Sequence, residues 1–187
     1  AKTNKRRDNM NREKARLMQI EVCNTAKAMA DGGLVAGTWG NISARIDDDY
    51  MVITPSGMDY SRLFPDQMVI VNMNTLEYEG NLKPSIEAVV HSAIYKDRPE
   101  FNGVVHTHSP WATSWAQAGR DIPAYGTTHA DFSYTAVPCT RALNEVEVKG
   151  EYELNTGKVI VKYFKDNKLG FNNLNCARCT KTRRLFL

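Results

Sequence analysis

Between residues 11 and 165, short β-type runs alternate with helical patterns, each cut off by Gly, Pro or Asp clusters. That alternation limits the chain more than any other feature. Elements this short cannot bury an apolar face alone, but helices laid on a sheet can, which argues for an α/β domain or a mixed-sheet relative of one. From 11 to 30, Leu17, Ile20, Ala26, Ala28 and Met29 fall at helical spacing, and Gly32-Gly33 follow as a C-cap would. Residues 41–46 and 50–53 read as strands joined across Asp47-Asp48-Asp49 in a hairpin, and 68–71 as a third strand. Pro84-Ser85 open a helix over 86–95 that Arg98-Pro99 end, and 103–108 reads as a short buried strand. Ser109-Pro110 start another helix, in which Trp111 and Trp115, four apart, are expected in the core. Residues 127–134 read as a further strand. Over 142–165 two signals conflict: Val159-Ile160-Val161 favours a strand, the charged run before it a helix.

The chain has 187 residues, 42% hydrophobic and 24% charged, enough for one domain with a sizeable core. No apolar run approaches the roughly 18–20 residues that span a bilayer. The basic start leads into no signal core, so the expectation is a cytoplasmic protein with no membrane partner. The net charge of +3 hides an asymmetry. Residues 1–16 hold seven Lys/Arg and two acids, residues 172–187 four Lys/Arg and none, and the body between them carries 13 bases and 19 acids. An acidic body argues against a nucleic-acid partner, which needs a basic stripe on the fold. Cys23 and Cys139 are isolated and expected as structural thiols. Cys176 and Cys179 form a lone C-x-x-C without the second pair that a structural zinc site takes.

Chemistry concentrates in a few polar segments. In His106-Thr107-His108 on a strand, the two imidazoles project to one face, their Cα atoms about 6.5–7 Å apart. They can converge on a metal, or simply pack. Glu87 sits in the first turn of the helix opened by Pro84-Ser85, where the macrodipole favours a carboxylate. The same helix start, with the Ser85 hydroxyl, suits a phosphate, although on local sequence an ordinary N-cap and a dipole-complementing acid explain the pair better. Thr54-Pro55-Ser56-Gly57 and Gly37-Thr38-Trp39-Gly40-Asn41 are small polar turns able to point N–H groups at an anion. His91, one turn after Glu87, either approaches that site or packs inside the helix face. His129 and Asp131, two apart on the expected strand, share a face.

Taken in order, Gly-Thr-Trp-Gly-Asn-Ile-Ser (37–43), Ile-Thr-Pro-Ser-Gly (53–57), Lys-Pro-Ser-Ile-Glu (83–87) and His-Thr-His-Ser (106–109) strongly resemble the class II aldolase/adducin family. Residues 112–119, 126–131, 138–141 and 150–157 resemble its epimerase branch, the L-ribulose-5-phosphate 4-epimerases. The resemblance implies a three-layer αβα domain with a central mixed, mostly antiparallel sheet, and a helix over 145–165. It implies zinc held by His106, His108 and Glu87, acid/base roles for Glu87 and Asp131, and phosphate binding by Asn41, Ser56, Gly57 and Ser85. The substrate would be a sugar phosphate and the assembly a homo-oligomer, a tetramer in the family. Zinc in such enzymes stabilises the enediolate left when a C–C bond breaks; an aldolase releases the fragments, whereas an epimerase rotates and rejoins them.

This sequence also departs from the family pattern. Ile86 stands where many members carry a second serine, and Glu87 is the aldolases' acid where the epimerases have aspartate. An L-fuculose-phosphate-type aldolase is therefore the alternative enzyme. The family's third zinc histidine has no counterpart, because none of the four histidines follows His129. The pattern stops near residue 165, so the expectation is an incomplete family domain over 1–165 whose C-terminal part is missing through truncation or frameshift. An atypical basic tail follows over 166–187. A non-catalytic adducin-like module is the third possibility.

Overall fold

In the computed structural model, which describes residues 10–131, 134–167, 178–180 and 184–186, two apolar cores lie on opposite faces of one sheet. The alternation of strand side chains builds both. In β2 (Tyr50–Ile53), Tyr50 and Val52 face helix α1 (Arg12–Asp31), while Met51 and Ile53 face α2 (Ala88–Asp97) and α6 (Tyr152–Asp166). In β3 (Val69–Asn72), Ile70 belongs to the first core and Val69 and Val71 to the second. Helix, sheet and helix pair thus form the three layers that the resemblance implies.

The sheet order is β4-β3-β2-β1-β5-β7-β6, and every pairing is antiparallel. The hairpin of β1 (Asn41–Arg45) and β2 is as expected, with Asp47 Oδ1 accepting from the Asp49 and Tyr50 N–H groups in its turn. The short strand β4 (Tyr78–Glu79) has no apolar alternation and is not legible in the sequence. β5 (Gly103–Thr107) lies beside β1 in the register Asn41↔His106. β7 (Arg184–Phe186) continues the sheet beyond β5, and β6 (Arg178–Thr180) pairs with β7. Cys176, and the side chain of Cys179, lie outside the described residues.

Three local expectations are corrected or decided. The strand expected over 127–134 is absent among the described residues: α4 (Thr127–Ala130) is a single helical turn, closed by Ala130 N–H to Gly126 O and Asp131 N–H to Thr127 O. Paired β-branched Thr127-Thr128 favours a strand locally, but this helical turn closes the backbone's own hydrogen bonds without a sheet neighbour. Helix α3 (Pro110–Gln117) exists, but Trp111 is 83% exposed, and the small Ala112 and Ala116 form the buried row. The conflict over 142–165 is settled as α5 (Glu145–Lys149) followed by α6. An Asn144–Glu147 capping box starts α5, and Val159, Ile160 and Phe164 line the buried face of α6. The valines and isoleucine at 159–161 mark a helix core, since a short apolar run fits either element.

Helices α2 and α6 cross closely because Gly157 has no side chain. A Cβ there would stand 2.9 Å from Ala93 Cβ and 3.4 Å from Val90 Cα. Replacing a mid-helix glycine by alanine ordinarily gains up to about 1 kcal/mol, whereas overpacking a tight contact costs about 1–3 kcal/mol. Gly157→Ala is therefore expected to destabilise the fold by about 1 kcal/mol in urea denaturation; an increase in stability would refute this account of the crossing.

Candidate functional site

The sheet register gathers the polar segments. Asn41 begins β1, His106 lies directly opposite it one residue before the end of β5, and β2, antiparallel to β1, ends at Ile53 beside them. The turn after β2 is then tied to the segment before α2. Pro55 and Pro84 form an isolated antiparallel bridge, in which Ser56 N–H donates to Lys83 O and Ser85 N–H to Thr54 O. Four segments that are remote in sequence thus meet at one end of three adjacent strands: 37–41, 54–57, 83–87 and 106–108.

Within this cluster the carboxylate and both metal-type imidazoles are withdrawn from water to different degrees. Glu87 is 2% exposed at the N-cap of α2, and its backbone N–H donates to the Ser85 hydroxyl at 3.3 Å. His106 is 2% exposed and His108 half-buried, with ring centroids 4.8 Å apart and planes tilted by 37°. Burial pushes the His106 pKa down to about 2, helped by neighbouring His108 and His91, and also lowers that of His108. Both imidazoles are therefore neutral at physiological pH, the form that ligates a metal. Trp39, 63% exposed, leans its ring over His108 at 5.9 Å.

The backbone beneath His106 is tightly specified. Gly40 has φ +123°, and a Cβ there would lie 2.8 Å from His106 O and from Val35 Cγ1. The Tyr60 hydroxyl donates to Gly40 O at 2.6 Å. Asn41, 4% exposed, puts its side-chain amide 3.1 Å from His106 Nδ1. Behind it runs a fully buried polar row: Ser43 Oγ lies 2.7 Å from His91 Nδ1 and 2.9 Å from the Tyr95 hydroxyl, and the Arg45 guanidinium donates to the carbonyls of Tyr95, Phe101 and Arg98. His91 is both a packed helix histidine and a neighbour of the site, since its charge would be felt at His106. Tyr60, Tyr95 and Trp39 are contributors that periodicity alone does not reveal. Ser43, two residues from Asn41 on a strand, and His91, four from Glu87 on a helix, do carry a positional signal, and Trp39 lies within the 37–41 turn.

Ser56 and Gly57 are exposed on their turn, where Gly57 takes φ +70°, and Ser85 is buried at the bridge. Asp131 belongs to a different segment, exposed at the C-cap of α4. The shared strand face expected for His129 and Asp131 does not exist, because the helical turn divides them; His129 Nε2 donates to Thr135 O instead. The two neutral imidazoles fit two positions of a zinc site. Among the described residues no group of three or more His, Cys, Asp or Glu is close enough to hold a metal ion, so Glu87 does not complete the set here.

Comparison with known proteins defines the class. The sequence pattern described as Class II Aldolase and Adducin N-terminal domain matches residues 20–172, and the chain belongs to that family. Two curated proteins called L-ribulose-5-phosphate 4-epimerase UlaF, from Salmonella paratyphi B (strain ATCC BAA-1250 / SPB7) and Salmonella typhi, are 55% identical to it over 132 residues. The match spans 70% of this chain but only 58% of the length of those relatives. Among solved structures, an L-fuculose 1-phosphate aldolase superposes with a TM-score of 0.71 at 22% identity, covering 90% of this chain and 73% of that one. The L-fuculose-1-phosphate aldolase of Thermus thermophilus gives 0.67 at 20%, covering 90% and 77%. At such identities these two establish the fold alone. No helix among the described residues is long and apolar enough to cross a membrane.

Burying neutral histidines makes stability depend on pH. Burial lowers the pKa of His91 from 6.5 to about 3, so the unfolded chain takes up a proton that the folded chain refuses. Stability is full above about pH 6.5 and falls as pH drops from there towards 3. His91 alone should cost roughly 2 kcal/mol by pH 5. The Arg141–Glu147 ion pair, which holds the Glu147 carboxyl down to about 2, acts in a separate window below about pH 4.5. Urea midpoints measured at pH 7.5, 6 and 5 should fall steadily; equal midpoints at the three values would contradict the assignment.

Proposed function

We propose that the chain acts on a ketose phosphate by breaking and re-forming a C–C bond, as an L-ribulose-5-phosphate 4-epimerase. What carries the reading is the convergence at one sheet end of two neutral imidazoles, a buried carboxylate and two anion-type turns. The name borne by the 55% identical relatives supplies the sugar. The phosphate would be held by the Ser56 and Ser85 hydroxyls and the Gly57 N–H, with Asn41 at the same end. These groups fix the substrate against the strand ends and leave its carbon chain towards His106 and His108. The two histidines would hold zinc as a pair, the remaining ligand coming from Glu87 after a shift or from residues outside those described. When bound, zinc supplies Lewis-acid stabilisation of negative charge on substrate oxygen. Glu87, kept dry at the start of α2, would exchange the proton that accompanies bond cleavage, and Asp131 the proton of the migrating hydroxyl. The reading carries with it a cytoplasmic location and the family's tetrameric assembly.

An L-fuculose-phosphate-type lyase is the second reading, favoured by one residue: position 87 is glutamate, as in the aldolases. A single experiment separates them. The full chain, purified with zinc, is incubated with L-ribulose 5-phosphate and with L-fuculose 1-phosphate. Formation of the C4 epimer without fragments is expected, and Glu87→Gln should lower its rate by about 10²–10⁴-fold. Release of dihydroxyacetone phosphate or glycolaldehyde phosphate at turnover rates would replace the epimerase reading by the lyase. Zinc content below about a tenth of an equivalent would overturn the metal reading and favour a non-catalytic module.

A further inference from the structure

Asn41 does more than face an anion. Its side chain is 4% exposed, and its amide lies 3.1 Å from Nδ1 of the residue opposite it in the sheet, His106. The backbone just before it is closely held: Gly40 has no room for a side chain against His106 O, and the Tyr60 hydroxyl donates to Gly40 O. The contact is therefore set by the fold and needs no ligand to form.

A primary amide has an accepting end and a donating end, and a half-turn exchanges them with almost no change of shape. In the orientation the structure shows, Nδ2 faces Nδ1: the ring nitrogen must then accept, the ring proton sits on Nε2, and Asn41 Oδ1 remains a buried acceptor with no hydrogen-bond partner among the described residues. With Oδ1 towards Nδ1, the ring donates, Oδ1 is satisfied, and the lone pair moves to Nε2. The displaced NH₂ then needs an acceptor, which a substrate oxyanion supplies. Only the second arrangement serves both ends of the side chain once an anion is bound. A role confined to the phosphate leaves the contact with Nδ1 unexplained.

We infer that Asn41 is a positioning residue for His106, accepting a hydrogen bond from Nδ1–H so that the lone pair is presented at Nε2. Outer partners of this kind fix the tautomer of ligating histidines and raise their basicity. The part of the inference that concerns metal rests on the reading of His106 and His108 as a zinc pair; the part that concerns the ring does not.

The test uses the full chain. Long-range ¹H–¹⁵N spectra of the metal-free wild type with inorganic phosphate present should show His106 protonated at Nδ1, and Asn41→Leu should turn it into a tautomer mixture. In competition with a chromophoric chelator, and without substrate, Asn41→Leu should bind zinc about 10–100-fold more weakly. Asn41→Asp, whose carboxylate accepts the same hydrogen bond, should stay within about threefold of wild type. A wild-type His106 protonated at Nε2 overturns the inference, and so does an Asn41→Leu protein with undiminished zinc affinity. Should the wild type bind no zinc, the metal reading fails while the ring spectra still decide this one. If the leucine variant does not fold, the wild-type spectrum and the aspartate variant carry the decision.

Discussion

The antiparallel pairing of β1 with β5 is the constraint on which the rest depends. It sets Asn41 against His106 and Ser43 against Val104, and it sorts the side chains of β1 into two kinds. Ile42 joins the apolar core under α1, while Asn41, Ser43 and Arg45 share the other face. That polar row is buried, which is costly unless every group finds a partner. His106 and His91, the Tyr95 hydroxyl and a set of carbonyls supply them for all but Asn41 Oδ1. A slip of one residue would drive the whole row into the apolar core beneath α1 and bring Ile42 to the site. Register and site are therefore one decision: the hydrogen bonds that make the polar row tolerable also hold the histidine in place.

The two faces of the sheet divide the labour. The α1 side is an apolar seal, built from Val22, Cys23, Ala26 and Met29 against Ile42, Val52, Met68 and Ile70. The α2–α6 side combines packing with chemistry, because the helix that contributes Val90 and Ile94 to the core also carries Glu87 and His91. The spacing of four residues puts that acid and that histidine on one line of the helix, joined by the His91 N–H to Glu87 O bond. The close crossing permitted by Gly157 presses this helix towards the sheet. Lys165 reaches Asp97 at its far end.

Much of this is legible in the residues. The elements α1, β1, β2, β3, α2 and β5 stand where the apolar runs place them, although Leu17 and Ile20, two of the positions that mark α1, are exposed. The resemblance carried by the four motifs groups His106, His108, Glu87, Ser56, Ser85 and Asn41, which the residues taken singly do not. What escapes does so for identifiable reasons. Thr127-Thr128 read as strand because β-propensity reports fit to a pleated surface, and among the described residues no strand pairs with them. Size alone places Trp111 inward, yet alanines let α3 sit close and leave the indole outside. Tyr60, Trp39 and Tyr95 act through contacts between distant segments, which no local period encodes. The role of Asn41 towards His106 belongs to the same category: the residue type is plain, and its partner is set by register.

The bridge of Pro55 and Pro84 has a consequence for the order in which the molecule assembles. Its two hydrogen bonds join residues about thirty apart, and closing a loop of that length costs on the order of 3 kcal/mol in chain entropy. Neither turn encloses enough apolar surface to offset this by itself, since Ser56 and Gly57 are exposed. The hairpin and β3 must dock first, and only then can the two proline turns clasp. In the folded protein the same logic runs backwards: the clasp lasts only as long as the strand end and the helix start that carry its two turns stay in place.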